Sequence, residues 1–313
     1  MSRVAVVAVG GNSLIKDKQH QTVPDQYNAV CETVSHVVNM IEDGWEVVLT
    51  HGNGPQVGFI LLRSETAHEA IHTVPVDSAV ADTQGAIGYK FPMALHNEFL
   101  KRGLNKGCAT LVTQVVVGAD DPAFHNPTKP IGPFMDEAQA KQRHEADGWD
   151  VMEDAGRGWR RVVASPKPQK IVELESIRAL INAGQVVIAV GGGGVPVVEK
   201  DGRYTGVAAV IDKDYASGLL AANLDVDSFI ISTAVDKVYI NFGKPNQQAL
   251  DTVTISEAKK YMAEGQFAKG SMAPKVEAAI KFLEAGGKEA IITNPENLSK
   301  AVKGLAGTRF VKD

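Results

Sequence analysis

Strand-like and helix-like segments alternate along most of this 313-residue sequence. A continuous apolar run at 4–9 predicts a strand that is buried on both faces, and the apolar spacing at 24–43 predicts a helix. This rhythm is typical of a mainly parallel sheet sandwiched by helices, an α/β fold with three α/β/α layers. The other predicted strands are 45–49, 108–117, 185–190, 228–233 and 289–293, and the other predicted helices are 56–70, 78–102, 171–182, 214–223, 256–263 and 274–285.

The rhythm breaks between residues 118 and 165, and this break predicts an insertion on the main sheet. The segment is rich in proline and contains one predicted short helix at 136–146. A predicted hairpin follows, with strands at 150–154 and 159–163 around a glycine-containing turn. Loops of this length are usually functional or disordered, and the aromatic and valine content favours an ordered insertion.

Composition excludes several classes of protein. The formal charge is 32 − 37 = −5, so the molecule as a whole is not a nucleic-acid-binding surface. Cys31 and Cys108 are far apart and lack a metal-like spacing, which favours a reducing compartment. No apolar run approaches the ~20 residues of a membrane span, and the apolar start is too short for a signal peptide. We therefore expect a cytoplasmic protein with no membrane partner.

Three glycine-rich turns each follow a predicted strand. They are Gly10-Gly11-Asn12-Ser13, His51-Gly52-Asn53-Gly54-Pro55 and Gly191-Gly192-Gly193-Gly194. Ligands of open α/β sheets bind outside the carboxyl ends of the strands, where glycine lets backbone N–H groups approach an anion. A single turn of this kind is more often an ordinary tight connection, because glycine is a general turn residue. Three at corresponding strand ends favour an anion site.

Two lysines lie at predicted helix starts. Lys213 follows Asp212, and Lys275 follows Pro274, which suits the first helical position. A lysine in the first turn opposes the helix macrodipole, and a nearby phosphate would relieve this conflict. Either lysine alone is more simply explained as a solvated surface residue.

The common catalytic and phosphate-binding motifs are absent from the sequence. Pro196 stands where a dinucleotide fingerprint needs its third small residue, and no segment matches the P-loop pattern. The eight histidines include no H-E-x-x-H pair, and there is no G-x-S-x-G elbow. His51 is a possible base, although a histidine before Gly-Asn-Gly more simply shapes the loop. These absences disfavour a nicotinamide-dependent oxidoreductase, a zinc hydrolase and a serine hydrolase.

The motifs taken together resemble carbamate kinase, a member of the amino-acid-kinase fold. The resemblance spans nearly the whole chain, and the insertion with Lys129 separates this family from acetylglutamate and aspartate kinases. Two residues depart from the common pattern, Ala273 and Ala234, and they affect the expected geometry of the nucleotide loop. The matching segments begin at Gly10, His51, Asn126, Glu153, Gly191, Val210 and Ser271.

The resemblance implies a phosphotransferase with a carboxyl-type acceptor, ATP + carbamate ⇌ ADP + carbamoyl phosphate. It also implies Mg²⁺ with ATP or ADP, a homodimer, and use of the reaction to make ATP. The amino-terminal part, 1–220, would bind carbamate or carbamoyl phosphate, and residues 118–165 would project from it as a lid. The remaining part, 221–313, would bind the nucleotide.

The resemblance also assigns site residues. The implied catalytic residues are Lys129, Lys213, Lys275 and Asp212, with Asp212 orienting the neighbouring lysine. The implied substrate- and phosphate-binding residues are Gly10, Gly11, Asn12, Gly52, Asn53, Gly54, Gly192 and Gly193. The implied nucleotide-binding residues are Lys213, Asp236, Tyr239, Ser271, Met272, Pro274 and Lys275. No protein ligand to a metal is assigned.

Two alternatives remain within this fold. One is an enzyme that phosphorylates a different small carboxylate, which the lid sequence disfavours. The other is a catalytically silent nucleotide-binding regulator. The presence of Lys129, Lys213 and Lys275 together disfavours the regulator, because nucleotide binding alone would not need all three.

Overall fold

An eight-stranded sheet forms the centre of the molecule. The structure, a computed structural model, describes residues 3–10, 14, 15, 17, 19–154, 156 and 158–313, with the backbone alone at residue 133. Neighbouring strands of the central sheet are parallel, except for the antiparallel pair at Ala290–Thr293 and Thr308–Val311. In spatial order the strands are β15 (Thr252–Thr254), β17 (Thr308–Val311), β16 (Ala290–Thr293), β12 (Ser228–Ser232), β1 (Arg3–Val9), β2 (Trp45–His51), β9 (Val186–Ile188) and β3 (Cys108–Thr110).

Helices cover both faces of this sheet. The α-helices of the described residues are α1 (Val23–Glu42), α2 (Gly54–Thr66), α3 (Val76–Arg102), α4 (Glu137–Asp147), α5 (Leu174–Asn182), α6 (Lys213–Leu224), α7 (Ile255–Ala263), α8 (Met272–Glu284) and α9 (Leu298–Ala301). Of these, α4 lies in the insertion and not on the central sheet. Alternate residues of a strand point to opposite faces, so Val7 packs with α1 and α3 while Val6 packs with α6 and α8. The predicted three-layer α/β/α sandwich is confirmed.

The predicted strand at 108–117 is wrong in one respect, because the chain changes sheets within it. β3 ends at Thr110, and the next strand belongs to a second sheet in the order β11 (Arg203–Gly206), β10 (Val195–Lys200), β4 (Gln114–Val117) and β8 (Pro168–Ile171). The Gln84 side chain fixes the backbone where the chain passes from one sheet to the other, since its Oε1 accepts from the Thr113 N–H at 2.7 Å. The strand-like composition of residues 108–117 carries no sign of such a change.

Helix α3 continues through Pro92 because its lost hydrogen bond is replaced. Proline has no N–H, so the carbonyl four residues earlier, that of Gly88, loses its helical donor. The Thr110 hydroxyl donates to this carbonyl at 2.8 Å. A Cβ on Gly88 would lie 2.3 Å from Thr110 Cγ2, so glycine is needed for the approach. The bond fixes α3 to the edge strand β3.

The insertion forms its own small domain, which we call the lid (residues 118–165). Its three-stranded sheet has the order β5 (Lys129–Met135), β7 (Trp159–Val163) and β6 (Val151–Glu153), with α4 beside it. The predicted helix and hairpin are confirmed, whereas β5 was not predicted because of its prolines. Proline is compatible with an edge strand, and β5 is at the edge.

The two parts expected from the sequence share the central sheet. Residue 220 lies inside α6, and β1 pairs with β12 over five residues, from Ala5 with Ser228 to Val9 with Ser232. A further hairpin, β13 (Val238–Ile240) with β14 (Gln248–Leu250), follows β12. No helix in the described part of the chain is long and apolar enough to cross a membrane.

Candidate active site

The glycine-rich turns meet at one edge of the central sheet. β1, β2 and β9 are neighbours and parallel, so their carboxyl ends lie side by side. Gly10, Gly52 and the turn at 191–193 therefore come together, as predicted. Gly11 and Asn12 lie outside the described residues.

Close packing explains several of these glycines. A Cβ on Gly10 would lie 2.8 Å from the carbonyl oxygen of Ser232. Gly192 and Gly193 have φ values of +66° and +94°, and their added Cβ atoms would lie 2.2 Å from Asn53 Nδ2 and 2.5 Å from the Ile211 carbonyl oxygen. Tight turns alone thus account for glycine at these three positions, and their contact with substrate stays a prediction.

Two glycines of the second turn have more space. A Cβ on Gly52 would make an ordinary contact, 3.5 Å, with Cδ of Lys213, and one on Gly54 would meet no atom within 4 Å. Gly52 therefore lies against the side chain of a predicted catalytic lysine. Asn53 is buried, and its Nδ2 donates to the Thr83 hydroxyl at 2.9 Å.

A buried aspartate joins the two predicted phosphate-binding lysines. Asp214 Oδ1 accepts from Lys213 Nζ at 2.5 Å, and its Oδ2 accepts from Lys275 Nζ at 2.8 Å. Lys213 is the first residue of α6, and Lys275 lies in the first turn of α8. The N-termini of these two helices and both ammonium groups consequently converge on one place, which is a strongly electropositive site.

Burial and the neighbouring charges act in opposite directions on this cluster. Burial raises the pKa of Asp214, but the two ammonium groups outweigh burial and hold that pKa at about 2. Burial lowers the pKa of Lys213, and the Asp214 carboxylate opposes this effect. One carboxylate thus faces two lysine side chains, and their N–H donors suit a phosphate group.

Lys129 reaches the same place from the lid. Its Nζ donates to Asp212 Oδ2 at 2.9 Å, and both side chains are partly buried. Asp212 is the N-cap of α6, where its Oδ1 accepts from the Asp214 N–H at 2.9 Å. The predicted role of Asp212 in orienting Lys213 stays a prediction. The Asp212 carboxylate contacts Lys129 and the helix N-terminus, while Asp214 contacts Lys213.

The lid rests on α2 through a backbone contact. A Cβ on Gly58 of α2 would lie 2.9 Å from the Cα of Gly132 in β5, so the two glycines allow the lid to approach closely. Arg161 of the lid also donates to Glu65 of α2 at 3.2 Å. These contacts, with the Lys129–Asp212 pair, hold the lid over the carboxyl edge of the sheet.

His51 is not placed to act as a base. Its ring stacks on Phe91 at a centroid distance of 5.9 Å, and Nδ1 donates to the Gly52 carbonyl at 2.9 Å. Burial lowers the pKa of His51 to about 4, so the ring is neutral at neutral pH. Its contact with Gly191 supports the interpretation that it shapes the turns.

The remaining predicted nucleotide residues lie along the same edge of the sheet. Asp236 follows β12, and its carbonyl accepts from the Thr293 hydroxyl at the end of β16, 3.2 Å away. Tyr239 donates to the exposed Asp236 carboxylate at 2.8 Å. Ser271, Met272 and Pro274 begin α8, next to Lys275. Their contact with a nucleotide stays a prediction.

Asp214 is the site residue that sequence reasoning missed. It lies next to Lys213 in the matching segment that begins at Val210, and no role was assigned to it. Its second partner, Lys275, is 61 residues away. Nothing in the local sequence shows that the two lysines share one carboxylate. The only sequence signal for this role was an acidic residue directly after a lysine at the start of a predicted helix.

Three lysines without an adjacent general base indicate one kind of chemistry. The described residues contain no group of three or more His, Cys, Asp and Glu side chains suited to hold a metal ion. Phosphoryl transfer needs positioning and charge stabilisation more than proton removal. The fold and the site together define a phosphotransferase of the α/β class.

Comparisons with known proteins agree with this class. The sequence model of the amino acid kinase family matches residues 3–294. The chain is 51% identical to the carbamate kinase-like protein YahI of Escherichia coli and 49% identical to a carbamate kinase of Thermococcus kodakarensis, over the full length of both proteins in each comparison. It superposes on the carbamate kinase from Giardia lamblia bound to AMP-PNP with a TM-score of 0.94, at 41% identity over 100% of this chain and 99% of that one.

The chain belongs to the amino acid kinase family and, within it, to the carbamate kinases. The resemblance seen in the sequence motifs is confirmed, and so is the assignment as a kinase.

Proposed function

We propose that this protein catalyses reversible phosphoryl transfer between ATP and carbamate, and that cells use it to make ATP from ADP and carbamoyl phosphate. The observation that carries the proposal is the convergence of Lys213 and Lys275 on Asp214, with Lys129 reaching Asp212 from the lid. These contacts support the cluster of Lys213, Lys275 and Asp214 as the proposed binding site of the transferred phosphate. The glycine turns of β1, β2 and β9 are proposed to hold carbamate or carbamoyl phosphate, and residues 221–313 the nucleotide.

Carbamate needs no general base, because it is already an anion at neutral pH. The main barrier is repulsion between this anion and the phosphates of ATP. Lys213 and Lys275 neutralise the transferred group, and Lys129 adds a charge from the acceptor side when the lid is closed. Closure also excludes water, which would otherwise compete as the acceptor.

The donor groups of the site suit a Mg²⁺ ion carried by the nucleotide. Asp212 and Asp214 are engaged by lysines and by a backbone N–H, so they offer no carboxylate cage. Magnesium binds readily through phosphate oxygens and water with few protein ligands. When bound, it supplies neutralisation of phosphate charge, while the lysines orient the phosphates.

The decisive experiment is coupled detection of ATP from ADP and carbamoyl phosphate, with and without a chelator of Mg²⁺. The wild-type chain should turn over, and chelation should stop it. Lys213→Ala should lower kcat by about 10²–10³, comparable with the loss of one transition-state donor, with less effect on ADP affinity. A panel of other acyl phosphates tests the alternative acceptor. A wild-type protein that makes no ATP from carbamoyl phosphate would exclude the proposal.

We also propose a homodimer formed through the face of α3 and β3. β3 is an edge strand among the described strands of the central sheet. Tyr89 and Leu100 of α3 and Val112 just after β3 are exposed apolar side chains on this side of the molecule. A second copy of the chain is the proposed partner. Sedimentation should give a dimer for the wild type and a monomer for Leu100→Lys, and an unchanged dimer in the variant would contradict this interface.

A cytoplasmic location completes the proposal. Cys31 and Cys108 are free thiols, as expected in a reducing compartment. Recovery of the native protein in a membrane or secreted fraction of its own cells would contradict this location.

A further inference from the structure

A buried lysine lies outside the catalytic cluster and has no acidic partner among the described residues. Lys90 of α3 is 6% exposed, and its Nζ donates to Gln26 Oε1 at 2.9 Å. Lys213 and Lys275, by contrast, share the Asp214 carboxylate. Burial lowers the pKa of Lys90 because it disfavours the charged form. A buried ammonium group without a counter-charge is costly for the fold.

Two buried glutamines complete this cluster, which we call the Lys90 cluster (Lys90, Gln26 and Gln56). Gln26 is 4% exposed, and its Nε2 donates to the Gln21 carbonyl at 3.0 Å while its Oε1 accepts from Lys90. The orientation of its amide is therefore fixed. Gln56 Nε2 donates to the same Gln26 oxygen at 3.4 Å, which fixes the second amide as well.

The fixed amides leave one acceptor without a donor. Gln56 is 7% exposed, and its Oε1 is buried with no hydrogen-bond partner. An ammonium group has three donors, and Lys90 uses one of them in its contact with Gln26. The Lys90 cluster thus combines spare N–H donors on a positive charge with a spare acceptor. Buried polar groups are nearly always paired, so these two together point to a ligand.

The cluster borders the acceptor side of the active site. Gln56 is in the first turn of α2, directly after the turn that holds Gly52 and Asn53. Asn53 contacts Thr83, which lies two helical turns before Lys90 on α3. Burial lowers the pKa of His51 most, and the charges of Lys213 and Lys90 lower it further. His51 also stacks on Phe91, the residue that follows Lys90 on α3, with 5.9 Å between the ring centroids.

Carbamate carries the complementary groups. Its carboxylate offers oxygens to an ammonium group, and its amino group offers hydrogens to an acceptor. Building on the function proposed above, we propose that the Lys90 cluster is the acceptor-recognition wall of the site. Lys90 stabilises the carbamate oxygen that is not transferred, and Gln56 Oε1 accepts from the amino group. Gln26 is a positioning residue that holds both.

Acetyl phosphate provides a direct test of Gln56, because it replaces the amino group of carbamoyl phosphate by a methyl group. Gln56→Met keeps the side-chain length and removes the acceptor. With saturating ADP, this variant should lose roughly tenfold to a hundredfold in the ratio of kcat/KM for carbamoyl phosphate to that for acetyl phosphate, the effect of one buried hydrogen bond. An unchanged ratio, whether both activities stay normal or both fall equally, would overturn the role of Gln56.

Lys90 is tested by a variant that separates function from stability. Lys90→Met removes a buried charge that has no described counter-ion, so its melting temperature should equal or exceed that of the wild type. Its kcat/KM should fall roughly tenfold or more for both acyl phosphates, because the charge on the leaving carboxylate loses its partner. Lys101→Met, on the exposed side of the same helix, is the matched control and should change neither quantity. Normal kcat/KM in Lys90→Met, or a loss of activity that merely follows unfolding, would overturn the proposal.

The two levels of failure are distinguishable. If the wild type makes no ATP from carbamoyl phosphate, the proposed function fails. If the wild type is active and the Gln56→Met ratio is unchanged, only the acceptor-recognition wall fails.

Discussion

Asp214→Asn should lower kcat by about 10³ and also destabilise the protein. Asparagine keeps the shape of the side chain but removes the only charge that Lys213 and Lys275 share among their described partners. The two partly buried ammonium groups would then repel each other and lose their orientation toward the phosphate. Breaking a buried ion pair on one side typically costs about 3–5 kcal/mol. The coupled assay and urea unfolding measure the two effects.

The pH dependence of this destabilisation provides an internal check. The pKa of Asp214 is depressed from 3.8 to about 2, so its stabilising contribution is complete above the unfolded value and is lost as the pH falls through about 2. The gap in unfolding free energy between wild type and Asp214→Asn should therefore narrow as the pH falls from about 3.8 to about 2. Asp251→Asn, which removes the exposed partner of Lys237, is a control with little expected effect. If Asp214→Asn has the kcat of the wild type, Lys213 and Lys275 do not need a shared carboxylate for catalysis.

Lys129→Met should lose most of kcat/KM, by about 10² or more, and still bind ADP with near-normal affinity. The lid brings this ammonium group to Asp212, 83 residues away in the chain. The proposed nucleotide residues other than Lys213 lie in the part formed by residues 221–313. Calorimetry with ADP and the coupled assay separate the two effects. Lys141→Met, an exposed lysine of the same lid, should behave as the wild type. Turnover of Lys129→Met at the wild-type rate would mean that the lid delivers no catalytic charge.

Much of the fold could be predicted because hydrophobic periodicity is a local signal. The run at Val4–Val9 and the spacing of α1 each report burial directly, and both were found where expected. The change of sheet between Thr110 and Gln114 was missed, since periodicity indicates a strand and not its neighbours. β5 was missed because proline counts against strands unless the strand is known to be an edge.

The site was predictable only as far as its motifs extend. Lys213 and Lys275 were recognised at helix starts, and the structure brings them together. Their common partner Asp214, and the pairing of Asp212 with Lys129, depend on contacts across 61 and 83 residues that no local pattern encodes. Lys90 belongs to no motif at all, and its interest arises from burial without an acidic partner, which is visible only in three dimensions.

The continuous ladder between β1 and β12 has a consequence for motion during turnover. These strands join the proposed acceptor part to the nucleotide part by parallel pairing over five residues in the middle of the sheet. A hinge at this seam would break buried backbone hydrogen bonds, which are expensive to leave unmade. We therefore expect the central sheet to move as one rigid body during turnover. Substrates should consequently enter and leave on the side that the lid covers, and not through a hinge in the sheet.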